Sequence, residues 1–365
     1  MKKGILTFHK VYNYGAVLQA YCMQEIVNAL SGDAEIIDFS MPKQKDFTSL
    51  YSTRNGLKRF VKTILLIPFH QKRFRRIKKF DQFISKLPLS TDAYRSADEL
   101  KKTNDIYDIF IVGSDQIWNV SKKAEFSDAY FLRFAKRDKK KISYAASIGT
   151  AGVDDLVTYK KLLKNFDKIS CREENGSKVI EEITGNQVPT VLDPTLLVER
   201  SVLDGLAAEY KDTYILYYSL DGFDKRKNNM DILKALSEKY GLKIKYITPE
   251  WPIHADGEDV MDAGIEDFLG LIKNAALVCT NSFHGTALSI KMNTPFFVLE
   301  SRDSKDERKR SLLKQLDLMD RIISSADEIN ALKSYTIDFE IVNKKLDVLR
   351  AKSENYLKNA LNVEV

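Results

Sequence analysis

Short apolar runs of strand-forming residues alternate with helix-period segments along most of the chain, and each run stops at small polar residues and glycine. Gly4 to Phe8 is such a run. The loop His9 to Gly15 follows, then a helix from Ala16 to Leu30 and a second strand from Glu35 to Phe39. Ala276 to Cys279 ends in Thr280-Asn281-Ser282-Phe283-His284-Gly285, and Thr286 to Ile290 continues as a helix. Strands apolar on both faces pair in parallel and need helical crossovers between them. The alternation therefore specifies an α/β fold with parallel sheets. Ligands of such sheets bind outside the carboxyl ends of the strands, so the polar residues at those ends become site candidates.

A chain of 365 residues exceeds one ordinary core and implies two domains. Strand-like runs at 107–112, 141–146, 168–171 and 188–192 fill the first half. Asp193-Pro194-Thr195 interrupts the pattern, and it resumes at 214–218, 243–247, 276–279 and 295–299. The expected domains are 1–195 and 196–335, with a closing helix at 336–365. Residues 54–80 stand out as a basic helical insertion in the first domain, with Lys and Arg throughout and no acid. They read as a membrane-surface segment, as a site for an acidic partner, or as a solvated helix pair docked by its apolar side on its own domain. Nucleic acid is disfavoured. The net charge is only +6, and the aromatics of 54–80 are Phe at helical spacing, not a stacking platform.

Cys22, Cys171 and Cys279 are far apart and form no C-x-x-C, which excludes a disulfide framework and suits a reducing compartment. His9, His70, His254 and His284 lack metal-ligand spacing, so no metal site is expected. No apolar run is long enough to span a bilayer, and the N-terminus lacks a secretory apolar region. A cytoplasmic protein follows, with peripheral contact at the inner face of the cell membrane through 54–80.

His284 sits among hydroxyl, amide and glycine neighbours where a strand turns into a helix. The free N–H groups and dipole of that helix end favour anions. The other reading is a buried, hydrogen-bonded core histidine. Asn13, Tyr14 and Gly15 end the first strand's loop, either facing a ligand or forming a tight turn. Gly113-Ser114-Asp115-Gln116-Ile117-Trp118-Asn119 ends another. Arg172 follows the run at 168–171. Its guanidinium suits a carboxylate or phosphate, or an internal pair with Glu173 or Asp115.

Six stretches together resemble one family, the polysaccharide pyruvyl transferases. They are Asn13 to Tyr21, Ile111 to Asn119, Tyr144 to Gly149, Ser170 to Gly176, Leu192 to Thr195 and Thr280 to Thr286. The resemblance implies two Rossmann-like domains facing a cleft, as in B-type glycosyltransferases. It implies transfer of a pyruvyl group from phosphoenolpyruvate to hydroxyls of a sugar, forming a ketal, with neither metal nor cofactor. The sugar would belong to a cell-surface polysaccharide, an exopolysaccharide or capsule, or to its lipid-linked precursor. Carried over to this chain, His284 becomes the general acid and Arg172 the anion clamp. Asn281, Ser282, Gly285 and Thr286 orient the donor on the second domain. Asp115 is a candidate base or binder of the acceptor hydroxyl. Ser114, Gln116, Asn13, Tyr14 and Gly15 join it as substrate contacts, the first domain being the acceptor side. Members with ketal activity resemble an Arg-Leu-His pattern, whereas this chain reads Ser282-Phe283-His284. A basic side chain from 302–310, Arg308 or Arg310, is expected to stand in. Two other functions fit the same plan: a glycosyltransferase using a nucleotide sugar, and a non-catalytic sugar-binding relative.

Overall fold

The computed structural model describes residues 1–40, 66–121, 128–220, 226–247, 253, 256–300 and 306–363. The chain divides into two compact units. One takes Met1–Ser49, Ile84–Val198 and Leu346–Val365, the other Leu50–Phe83 and Glu199–Lys345. The division after Val198 lies close to the break read at residue 195.

The first unit holds a parallel sheet of β1 (Lys3–Leu6), β2 (Ala34–Phe39), β3 (Leu89–Tyr94), β4 (Ile109–Val112) and β5 (Lys140–Ser143). Their order is β3-β2-β1-β4-β5. Every residue of β1 and β4 is buried, as strands covered on both faces require. The runs read as strands at 168–171 and 188–192 contribute single bridges, Ala146 with Cys171 and Cys171 with Thr190. Helix α1 (Tyr14–Ser31) crosses from β1 to β2. Asn13 starts it, its Oδ1 accepting from Ala16 N at 3.1 Å, and Val17, Leu18, Met23 and Val27 bury its apolar face.

The second unit holds β6 (Tyr214–Tyr218), β7 (Lys243–Ile247), β8 (Glu258–Asp259), β9 (Leu277–Thr280), β10 (Phe296–Leu299) and β11 (Ile322–Ile323). Its order is β11-β10-β9-β6-β7-β8, again parallel.

Of the basic segment, residues 54–65 lie outside the described residues. The remainder enters helix α2 (His70–Ile84), which groups with the second unit up to Phe83, although 54–80 was expected within the first. Charge explains the placement. Arg75 Nε meets Asp262 Oδ2 at 2.8 Å, Lys79 Nζ meets Asp267 Oδ2 at 2.7 Å, and Lys72 Nζ donates to Asp259 O at 3.3 Å. Gly264 lets the Lys79 stem approach: a Cβ there would lie 2.6 Å from Lys79 Cβ. Phe74 and Ile67 remain exposed. Among the described residues, no helix is long and apolar enough to cross a membrane.

Candidate functional site

Strand order in the second sheet reverses between β6 and β9, so the loops leaving their carboxyl ends diverge there. A crevice of this kind is where open α/β sheets take ligands. Tyr218 and Thr280 are register partners at that edge. Beyond them Leu220 N donates to Asn281 Oδ1 at 2.9 Å. Thr280 Oγ1 donates to Tyr218 O at 2.7 Å and accepts from Ser282 N at 3.0 Å. These bonds fix the turn that begins helix α3 (Phe283–Met292), whose cap is Ser282. Gly285 packs so tightly that a Cβ would lie 2.5 Å from Thr280 Oγ1. Thr280, Ser282 and Gly285 thus build the turn, while Thr286 Oγ1 bonds back to Ser282 O at 3.0 Å.

His284 is the second residue of α3. It is buried, with 7% of the residue exposed and the ring Nε2 among the buried atoms. Its ring stands edge-on to Phe283, centroids 5.3 Å apart and planes at 84°. The positive end of the helix adjoins it, where Ser282 takes the N–H of Gly285 through Oγ and that of Thr286 through its carbonyl oxygen.

Among the described residues, one cation donates to this turn. Lys309, on helix α4 (Glu307–Gln315), is buried and donates from Nζ to Asn281 O at 2.9 Å. The two arginines expected beside His284 are taken by acids. Arg308 forks onto Asp306 through Nε at 2.8 Å and Nη2 at 2.6 Å, and Arg310 Nη2 meets Glu300 Oε2 at 2.5 Å. Burial would raise the Asp306 carboxyl, but hydrogen bonding and charge from Arg308, with the charge of Lys309, hold it below the ordinary carboxylate range. Helical geometry turns successive residues by about 100°, which puts Lys309 on a different face from its neighbours. Only knowledge of where α4 begins could have singled it out.

In the first sheet the strand order reverses between β1 and β4, and the loops after them are tied together. Gln19 Oε1 accepts from Ser114 N at 3.1 Å, and Gln19 Nε2 donates to Thr7 Oγ1 at 2.9 Å. Ser114 Oγ donates to Asp193 Oδ2 at 2.9 Å. Asp193 also caps its own turn, Oδ1 accepting from Thr195 N at 3.0 Å. Arg172, with 1% side-chain exposure, lies among carboxylates. Nη1 is 2.8 Å from Asp193 Oδ2, Nη2 3.6 Å from Asp115 Oδ1, and Nε 4.0 Å from Glu173 Oε2. Burial opposes its charge, yet Asp193, Asp115 and Glu173 overcome that and hold its pKa above the usual value. Three carboxylates around one guanidinium leave a net negative cluster. Of the two roles open to Arg172 in the sequence, the internal pair accounts for this geometry and an anion clamp does not.

Asp115 and Gln116 are partly exposed on this loop, and Asp115 takes a left-handed backbone with φ 62°. Gln116 Oε1 accepts from Asn119 Nδ2 at 2.8 Å. Ser114, Tyr14 and Gly15 are buried, so of the Asn13-Tyr14-Gly15 group only the capping Asn13 is partly exposed. Trp118 is core: it stacks on Phe131 at 5.4 Å and donates from Nε1 to Tyr130 O at 3.0 Å. Among the described residues, no group of three or more His, Cys, Asp or Glu is placed to hold a metal ion.

No curated protein sequence matches the chain. Two solved structures resemble its fold. One is the Staphylococcus aureus MnaA–UDP structure, 12% identical, with a TM-score of 0.56 over 100% of this chain and 98% of that one. The other is the Methanocaldococcus jannaschii UDP-GlcNAc 2-epimerase in complex with UDP-GlcNAc and UDP, 13% identical. Its TM-score is 0.52 over 96% of this chain and 100% of that one. At such identity they establish the fold, that of the B-type glycosyltransferases with two parallel-sheet domains, and nothing of substrate. The polysaccharide pyruvyl transferase model matches residues 13–304, from the cap of α1 through the turn carrying His284 and on past β10. The chain belongs to the polysaccharide pyruvyl transferase family.

Proposed function

We propose that this transferase moves a pyruvyl group from phosphoenolpyruvate to two hydroxyls of a saccharide acceptor. The observation that carries the reading is the turn at the β6–β9 reversal, where His284 and the Lys309 ammonium converge on Thr280-Asn281-Ser282. Phosphoenolpyruvate needs cations and N–H donors for its phosphate and carboxylate, and an acid for its methylene carbon. Lys309 and the first turn of α3 supply the former, and Asn281, Ser282, Gly285 and Thr286 shape that turn. His284 supplies the acid, since an imidazole can be protonated near neutral pH.

Protonation of the methylene makes a methyl group and leaves an oxocarbenium centre at the adjacent carbon. One acceptor hydroxyl adds there and loses its proton. The carbon–oxygen bond to phosphate then breaks, and phosphate departs with the electron pair. The second hydroxyl adds and loses its proton, completing the ketal. Asp115 takes a hydroxyl proton or orients the sugar, with the adjacent Gln116 and the α1 cap Asn13 as further acceptor contacts. Arg172 holds Asp115 in place. The reaction uses no metal and no cofactor. The acceptor is a cell-surface polysaccharide unit or its lipid-linked precursor, worked on at the inner face of the membrane, with exposed Ile67 and Phe74 beside the basic side chains of α2 touching the lipid.

The test is mass spectrometry of saccharide acceptors incubated with phosphoenolpyruvate, alongside release of inorganic phosphate. A pyruvyl ketal on the sugar supports the reading. Transfer of a sugar from a nucleotide sugar, with no ketal, would replace it by the glycosyltransferase reading. Binding of sugar without either product would leave a non-catalytic relative.

A further inference from the structure

A second ionic cluster lies on the first unit, at the carboxyl ends of β1, β2 and β3, and the proposed chemistry does not use it. His9 follows β1, Asp38 is in β2, and Arg95 follows β3. The His9 side chain has 0% exposure and that of Asp38 9%. His9 Nδ1 lies 3.1 Å from Thr7 O, an atom that only accepts, so the hydrogen-bond network assigns a proton to Nδ1. Nε2 stands 3.5 Å from Asp38 Oδ1, so the ring faces the carboxylate inside the unit. The Asp38 backbone is fixed by its N–H donating to Ser90 Oγ at 2.9 Å. On the outer side the Lys10 ammonium contacts Asp38 Oδ2, and Arg95 Nη1 lies 3.8 Å from Oδ1. Lys10 and Arg95 are the exposed layer, at 27% and 36% of their side chains. Glu99 Oε2 is engaged by the Arg95 backbone N–H at 2.7 Å.

One carboxylate therefore serves two permanent cations, with a histidine behind it. Both cations are partly exposed at the sheet edge that takes ligands, where Glu99 adds a second carboxylate. Lysine offers a point charge and arginine a planar fork, a combination suited to phosphate oxygens.

We propose that Lys10 and Arg95, positioned by the buried His9–Asp38 pair, bind the phosphate ester of the acceptor, the group that joins the saccharide to its carrier. Only the word acceptor rests on the transferase reading; the anion site stands without it. The carrier is a nucleoside or a lipid, and both present a diphosphate.

The experiment is isothermal titration of the full chain with inorganic pyrophosphate. Wild-type protein binds it, and the Lys10→Met/Arg95→Met double variant loses at least ~10-fold in affinity, as removal of charge-assisted hydrogen bonds predicts. Absence of binding to wild-type protein, or an unchanged double variant, overturns the proposal. If the double variant does not fold, Arg95→Gln, changing the most exposed member, is titrated instead, with weakened binding expected and unchanged binding overturning it. Competition by uridine diphosphate alone assigns the ester to a nucleotide carrier; competition by farnesyl diphosphate alone assigns it to a lipid. Phosphoenolpyruvate binding is measured in parallel. Its absence in every protein would count against the donor reading and leave the pyrophosphate result standing.

Discussion

His284 and Lys309 have different tasks in the proposed reaction, so their variants separate kinetically. General acid catalysis contributes about 10²–10⁴-fold, so His284→Ala is expected to lower kcat by that factor while the melting temperature holds. Lys309→Met is expected to raise the KM for phosphoenolpyruvate about 10-fold or more, the worth of a charge-assisted hydrogen bond, with Lys309→Arg restoring part of it. Steady-state kinetics with phosphate release as readout checks both. Gly285→Ala tests the packing of the same turn. Its methyl would crowd Thr280 Oγ1, and overpacking of this kind costs about 1–3 kcal/mol in urea unfolding. Asp38 adds a pH signature. Burial would raise its carboxyl, but hydrogen bonds and charge from His9 and Lys10 pull it down to about 2. A carboxyl lowered in the folded state stabilises above its unfolded pKa, and that stability is lost as pH falls towards the folded value. Wild-type protein is therefore expected to lose stability between about pH 5 and pH 2 more steeply than Asp38→Asn, as acid titration of the unfolding midpoint would show. At this scale His284 was legible because its neighbours combine a strand end, a cap and a glycine. Lys309 was not, since Arg308 and Arg310 carry the same charge and only their engagement by Asp306 and Glu300 removes them.

Elements were legible where burial wrote an apolar run. β1, β4, β6, β7, β9 and β10 are fully or largely buried, and each matches a run in the sequence. β3 reads Leu-Ser-Thr-Asp-Ala-Tyr with three consecutive exposed positions, so an edge strand left no pattern to find. The segment 153–163 is broken into Val153–Leu156, a 3₁₀ turn Val157–Tyr159 and Lys160–Leu163. Helix α2 shows why composition alone could not decide between lipid and protein. Its basic charge is partly met by Asp262 and Asp267, acids almost two hundred positions away along the chain. Partly exposed pairs of this kind are worth about 0.2–1 kcal/mol, so Arg75→Ala and Lys79→Ala are each expected to cost that much at low salt and less at high salt, where screening weakens them. Arg172 belongs at this scale as well, because it ties the loop after β4 to the Asp193 turn. Arg172→Met leaves buried carboxylates without their cation, and a loss of about 3–5 kcal/mol in unfolding free energy is expected. A variant of near-normal stability would free Arg172 for a role with ligand.

For the whole molecule, two parallel sheets with reversed strand order follow from alternating apolar runs and crossovers, and that plan was readable before any coordinates. The allocation of distant segments was not. The sequence places 54–80 and the closing helix by order alone, whereas contacts give most of α2 to the second unit and Leu346–Val365 to the first. The fold by itself leaves the chemistry open, since proteins of this architecture act on nucleotide sugars. The chain's family is that of the polysaccharide pyruvyl transferases, and His284 is the atom-level point at which the proposed chemistry is tested. The decisive measurement is a paired reaction of wild-type and His284→Ala protein with phosphoenolpyruvate and a saccharide acceptor panel, read by mass spectrometry for the ketal. Wild-type protein is expected to form it and His284→Ala to form at least ~100-fold less in the same time. Equal ketal formation by the two proteins would contradict the account.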